Sequence, residues 1–182
     1  TITILFADIR AFTTLAEGEN PERVVGLLNQ YFSAMTEIIF EHGGTLDKYI
    51  GDGLMALFGA PTATPNDARN AVNAAVAMQR RLLTLNPELV EQGYSQIAVG
   101  IGLHTGEATV GYIGSEQRSE YTAIGDAVNL ASRLESNTVG GQVLISSDCA
   151  KAAGDIFPMA RREAITVKNR KQPVELYEIK WA

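Results

Sequence analysis

Apolar periodicity switches back and forth along this chain between two residues and 3.6, which rules out a fold made of helices or strands alone. Ile2 to Phe6 alternates apolar and polar positions and runs into Ala7 and Asp8, the pattern of a buried strand ending on a carboxylate. Asn20-Pro21-Glu22 then places a capping residue before a proline at the first helical position. Val24, Leu27, Leu28, Tyr31, Phe32, Met35, Ile38 and Ile39 follow at helical spacing until Gly43-Gly44 stops the run. Thr45 to Ile50 and Leu54 to Phe58 read as the arms of a hairpin with Gly51-Asp52-Gly53 at its tip. Asn66-Asp67 opens a second long helix, expected to end near Asn86-Pro87. Strands are expected at Ile97 to His104, Glu107 to Tyr112 and Val143 to Ile145, with a polar flap at Ser115 to Glu120. A third helix is expected over Ile124 to Glu135, a short one over Asp148 to Ala153, and a terminal strand pair within Ile165 to Lys180. Strand, helix, hairpin, helix, strand is the order of an α+β fold. The expected architecture is a ferredoxin-like or palm-type split βαβ sandwich, a mostly antiparallel sheet with helices on one face.

At 182 residues and 46% apolar content, the chain fits one domain with a sizeable core. Its net charge of -6 argues against a nucleic-acid partner, because a polyanion calls for a basic face. Cys149 stands alone, so no disulfide framework exists and a reducing, cytoplasmic compartment is expected. The longest weakly polar stretch, Ala71 to Met78, is far too short to cross a bilayer. The chain opens at Thr1 directly into a strand-like run, as expected of a single catalytic module, 1–182, within a larger multidomain protein.

Gly100, Gly102 and Gly106 miss the dinucleotide-binding fingerprint by one residue and lie in a strand-like run, and no Walker-type phosphate loop occurs. Two carboxylates at chain reversals carry more information. Asp8 ends the first strand and Asp52 sits at the hairpin tip, so pairing of that hairpin beside the first strand would aim both at one point above the sheet edge. Two carboxylates in one place repel unless cations neutralise them, and hard oxygen ligands suit magnesium or manganese. The backbone N–H groups of Ile9 to Thr13 could cradle a polyphosphate. Aspartate is also common in turns, and for either residue alone a plain structural role, Asp52 as turn former and Asp8 at the approach to the helix, is the better reading.

Four segments together carry a resemblance. Phe6-Ala7-Asp8-Ile9-Arg10-Ala11-Phe12-Thr13, Lys48-Tyr49-Ile50-Gly51-Asp52-Gly53, Gly102-Leu103-His104-Thr105-Gly106 and Tyr121 to Arg133 resemble, in order, the signature segments of class III nucleotidyl (adenylyl and guanylyl) cyclase catalytic domains. The likeness spans essentially the whole chain and is nearest to the bacterial homodimeric adenylyl type. It implies that Asp8 and Asp52, with the Ile9 carbonyl, hold two divalent cations, Mg2+ or Mn2+, per active site, and that the amides of Phe12 and Thr13 meet the triphosphate. It further implies that Asn129 holds the ribose, that Arg133 stabilises charge on the α-phosphate, and that Lys168 binds phosphate, a role open also to Arg170 or Lys171. Asn129 and Arg133 are four residues apart, as two side chains sharing one helix face must be.

Hydrogen-bond inventory bears on the base. Lys48 only donates, which suits adenine N1, and the Thr122 hydroxyl can accept from the N6 amine. Guanylyl cyclases of the family place an acidic residue at position 48 and commonly a cysteine at 122, so the resemblance implies ATP as substrate, giving cyclic AMP and pyrophosphate. Many adenylyl cyclases carry aspartate at 122; the threonine weakens discrimination, because a rotating hydroxyl can also donate, and it resembles the bicarbonate-responsive subgroup. Relatives often have a phosphate-reaching arginine where this chain has Gly100. Metal-binding and base-reading residues sit on opposite partners of the family's dimers, and this chain carries both sets, which implies a homodimer with two shared active sites. A non-enzymatic module would be expected to lack one of these groups, and a diguanylate cyclase would carry a different hairpin signature from Gly51-Asp52-Gly53.

Overall fold

A computed structural model describes residues 1–168 and 170–182. The first strand, β1 (Ile2–Ile9), is an interior strand of a seven-stranded sheet, third from one edge. A one-and-a-half-turn helix, α1 (Phe12–Glu17), leads to α2 (Pro21–Glu41), which starts as expected: Asn20 Oδ1 accepts from the Glu22 N–H and Pro21 takes the first helical position. The hairpin β2 (Thr45–Ile50) and β3 (Gly53–Phe58) follows, then α3 (Asp67–Glu91) and β4 (Val99–Gly106). A separate two-stranded hairpin, β5 (Thr109–Gly114) and β6 (Ser119–Ile124), precedes α4 (Asp126–Ser136). The chain closes with β7 (Val143–Ser146), α5 (Ser147–Ala153), β8 (Met159–Ile165) and β9 (Val174–Ile179). The strand order is β2-β3-β1-β4-β7-β9-β8, antiparallel throughout except for the β4–β7 pair. This is the expected mostly antiparallel α+β sheet.

The two faces of β1 serve two cores. Leu5, Ala7 and Ile9 pack with Leu27, Tyr31 and Met35 of α2 and with Ala71, Ala75 and Met78 of α3. Ile4 and Phe6 point the other way and pack with Ala123, Ala127 and Ala131. Helices α2, α3 and α5 thus share one face as expected, but α4 covers the opposite face, correcting the expectation of helices on one face only. Double coverage explains why Leu54 to Phe58 is a continuous apolar run, since every residue of that strand is buried.

Glycines on β4 make the α4 packing possible. A Cβ on Gly102 would collide with the backbone nitrogen of Glu135, and one on Gly100 with Thr138 Oγ1. The helix therefore lies against bare strand backbone, which is why these glycines occur in a strand and not in a nucleotide-binding turn.

Several boundaries differ from expectation. Helix α3 runs through Pro87 to Glu91, because Leu85 and Leu89 continue its buried stripe, while the carbonyl released by Pro87 belongs to Leu83, an exposed residue that water can reach. The segment Ser115 to Glu120 is a hairpin turn closed by the Ser115 N–H donating to the Arg118 carbonyl at 2.8 Å, with Ser119 and Glu120 already in β6, and α4 begins at Asp126. The outer partner of β9 starts at Met159, where the exposed run Arg161 to Ala164 conceals an edge strand. Among the described residues, no helix is long and apolar enough to cross a membrane.

Gly102→Ala should lower the free energy of unfolding by about 2–3 kcal/mol, the usual cost of overpacking, because backbone and not a flexible side chain stands in the way. Chemical denaturation would measure it.

Candidate active site

The antiparallel pairing of β1 with β3 sets Asp8 directly across from Gly53. A side chain at 53 would press on Asp8, since its Cβ would stand 3.0 Å from Asp8 Cβ. Asp52, one residue before, reaches back over the strand end, where its Oδ2 accepts the Ile9 N–H at 3.2 Å. Asp8 and Asp52 consequently line one open cavity of about 340 Å3, together with Ile9, Phe12 and Thr13. The link from strand to α1 is made by Ala11 at φ 55°, a left-handed conformation that costs a non-glycine residue roughly 1 kcal/mol.

Arg10 and Glu135 line the same cavity and were not singled out from the sequence. The Arg10 guanidinium abuts Asp8 Oδ1 as an ion pair and lies 2.5 Å from Glu135 Oε2. It also donates to the Thr138 carbonyl at 3.2 Å, so it ties the end of β1 to the C-terminal end of α4. Its Nε lies 3.3 Å from where a Gly100 Cβ would stand, which makes it the guanidinium nearest the position relatives fill with arginine. Two hard carboxylates that line one cavity form a donor set that fits a small divalent cation. Tyr31 of α2 is fully buried with its hydroxyl unpartnered. Burial foremost, then the charges of Asp52 and Glu135, push its phenol far above the ordinary range, so it stays neutral.

The remaining expected residues lie outside this cavity. Between Leu46 and Lys48 the β2–β3 register slips: Leu46 pairs with Ala56 and Lys48 with Met55, leaving Asp47 as the extra residue of a β-bulge. Lys48 thereby joins the Met55 face, and Asp47 beside it accepts a hydrogen bond from the Thr122 hydroxyl on β6. The structure thus brings Lys48 and Thr122 together through a carboxylate that sequence reasoning passed over. Asn129 and Arg133 are both exposed on the outer face of α4. Val167 packs on Leu130 of the same helix, holding the exposed Lys168 nearby. Arg170 pairs with Asp126 at the start of α4, at 2.5 Å and 3.0 Å. Asn169 lies outside the described residues.

The model of the adenylate and guanylate cyclase catalytic domain matches residues 1–180. This chain belongs to that family. The cyclase domain is 36% identical over 180 residues to adenylate cyclase 1 of Rhizobium meliloti (strain 1021), matching 98% of this chain and spanning 27% of that protein's length. Among solved structures it is similar to the guanylyl cyclase Cya2, with a TM-score of 0.94, 46% identity and coverage of 98% of this chain and 90% of the other. The adenylyl cyclase CyaB from P. aeruginosa also superposes at a TM-score of 0.94, with 38% identity and coverage of 98% and 92%.

His104 of the third signature segment has a supporting place in the cyclase domain. Its Nδ1 lies 2.7 Å from Ser146 Oγ, which also caps α5 by accepting from the Cys149 N–H. Burial is the main cause that lowers its pKa, so the ring is neutral near pH 7.

Replacing Arg10 with Met should cost about 2 kcal/mol of stability, discounted from a fully buried case because the pair is partly exposed, since Asp8 and Glu135 lose their shared counter-charge. Adding Mn2+ should recover more of the lost melting temperature in this variant than it adds to the wild type. Equal shifts would separate Arg10 from the carboxylate site.

Proposed function

We propose that this domain is an adenylyl cyclase that converts ATP to 3′,5′-cyclic AMP and pyrophosphate at active sites shared across a homodimer. The observation that carries this reading is the convergence of Asp8 and Asp52, from paired strands, on one cavity beside the Phe12–Thr13 turn. Asp8, Asp52 and the Ile9 carbonyl would hold two divalent cations, Mg2+ or Mn2+, which when bound neutralise the triphosphate and acidify the ribose 3′-hydroxyl.

The chain's own groups supply orientation and charge. The amides of Phe12 and Thr13 donate to the triphosphate, and Lys168 adds a cation to it. Asn129 holds the ribose so that the 3′-oxygen lies in line with the α-phosphorus. As the new P–O bond forms and the bond to pyrophosphate breaks, the Arg133 guanidinium donates to the α-phosphate oxygens, where charge accumulates. Lys48 donates to adenine N1 and the Thr122 oxygen accepts from N6.

Dimerisation is supported by the separation of the two groups of residues. Asn129 and Arg133 are exposed and do not line the cavity that holds Asp8 and Asp52 on the same chain, and a second protomer would bring one set to the other. The β5–β6 hairpin presents Tyr112, 79% exposed, with Ile113 and Ile124, an apolar surface suited to such a partner. Guanylyl cyclase activity is the second reading, favoured by the 46% identity to Cya2. Lys48 weighs against it, because a donor-only side chain meets the N1–H of guanine unfavourably.

Purified domain with Mn2+ and either ATP or GTP, analysed for cyclic nucleotide, tests the choice, and a product made only from GTP would overturn the adenylyl reading. Asp52→Ala and Arg133→Ala should each be inactive alone. Mixed one to one, random pairing makes half the dimers heterodimers with one sound site each, so about a quarter of wild-type activity should return. Confirmed mixed dimers without recovery would rule out shared sites. By its Thr122 likeness the domain should also be stimulated by bicarbonate at fixed pH and saturating metal, and an unchanged rate would remove that expectation.

A further inference from the structure

We propose that Asp47 determines nucleobase choice by fixing the hydroxyl of Thr122 as a hydrogen-bond acceptor. A threonine hydroxyl taken alone is a poor reader of a purine 6-position, because it can turn to donate to a carbonyl as readily as it accepts from an amine. In this fold the hydroxyl is not alone. Thr122 Oγ1 donates to Asp47 Oδ2 at 2.6 Å, and both groups are sheltered: Thr122 is buried, and the Asp47 side chain is 1% exposed. With Asp47 Oδ2 as the acceptor, the hydroxyl proton is committed to it and the lone pairs left on Oγ1 can only accept in turn.

The β-bulge is what makes this arrangement available. Successive strand residues normally point to opposite faces. In an unbroken ladder Asp47 would lie across from Met55, and Lys48 across from Leu54, whose side chain belongs to the core beneath α2 and α3. The extra residue puts Lys48 across from Met55 instead and keeps Asp47 turned toward β6. One backbone irregularity therefore delivers a donor, Lys48, and an oriented acceptor, Thr122, to the same side of the sheet. Asp47 Oδ1 accepts no hydrogen bond, and Lys48 Nζ lies 3.8 Å from it, so the same carboxylate also steadies the lysine. Asp47 acts through these two neighbours and is a positioning residue.

This inference rests on the reading that Lys48 and Thr122 face the base. An acceptor-only Thr122 rewards the 6-amino group of adenine and opposes the 6-oxo group of guanine, lone pair against lone pair. Freeing the hydroxyl removes the opposition. The experiment compares kcat/KM for ATP and GTP in the wild-type domain, Asp47→Asn, Thr122→Val and the double variant, with thermal unfolding as the check on folding. Asp47→Asn should lower the ATP-to-GTP ratio about tenfold, the factor expected when one hydrogen bond changes sign. Most of the change should appear in KM, because the bases bind and do not react. In the Thr122→Val background the Asp47 substitution should change the ratio little. Asp47→Ser, which leaves room for a water beside the hydroxyl, provides the same comparison should the asparagine variant not fold. A folded Asp47 variant that keeps the wild-type ratio overturns the proposal, as does an undiminished effect in the Thr122→Val background. A wild-type domain that prefers GTP, or uses neither nucleotide, overturns it together with the reading of Lys48 and Thr122 beneath it.

Discussion

Everything at the candidate active site depends on the register between β1 and β3. Six residue pairs fix it, from Thr3 against Phe58 to Asp8 against Gly53, and both strands are buried on both faces. A slip by one residue would turn Leu5 and Ala7 out of one core and Ile4 and Phe6 out of the other, so the alignment is heavily specified. Its consequence at the strand ends is to hold two carboxylates together against their mutual repulsion. Folding energy, not local chemistry, keeps them there, with the Ile9 N–H and the Arg10 guanidinium as partial compensation.

The second face of the sheet follows a different logic. There the contact surfaces are made of small residues: Gly100 and Gly102 on the strand, Ala127 and Ala131 on the helix. Small residues bring backbones close and give many weak contacts with little freedom to slide. Arg10 adds a polar fastening at one end of α4, and the Arg170–Asp126 pair adds one at the other. The helix that carries Asn129 and Arg133 is thereby seated at both ends and along its length.

Much of this was legible in the sequence, for identifiable reasons. Asp8 and Asp52 could be paired because hydrophobic runs on either side located them at strand ends, and the split βαβ order made neighbours of those strands. Lys48 and Thr122 could be named only through the family likeness, and the link between them could not be read at all. Nothing in Thr45 to Ile50 announces a bulge, since Asp47-Lys48 looks the same in a regular strand. Glu135 was hidden for a similar reason: a charged residue on a helix is normally solvated, and only the packing of α4 shows it buried against Arg10. Pro87 misled because local propensity was outvoted by Leu85 and Leu89, whose burial repays the broken backbone bond. The side of the sheet that α4 covers was out of reach, because periodicity gives the apolar face of a helix and not the surface it meets.

The close seating of α4 bears on how such a domain could be switched. A helix pressed onto bare strand backbone cannot rotate or shift by even a fraction of a turn without clashing with the chain beneath it. Asn129, Arg133 and the central strands therefore travel as one solid piece. A signal reaching this domain would then move α4 and β4 together, not one across the other.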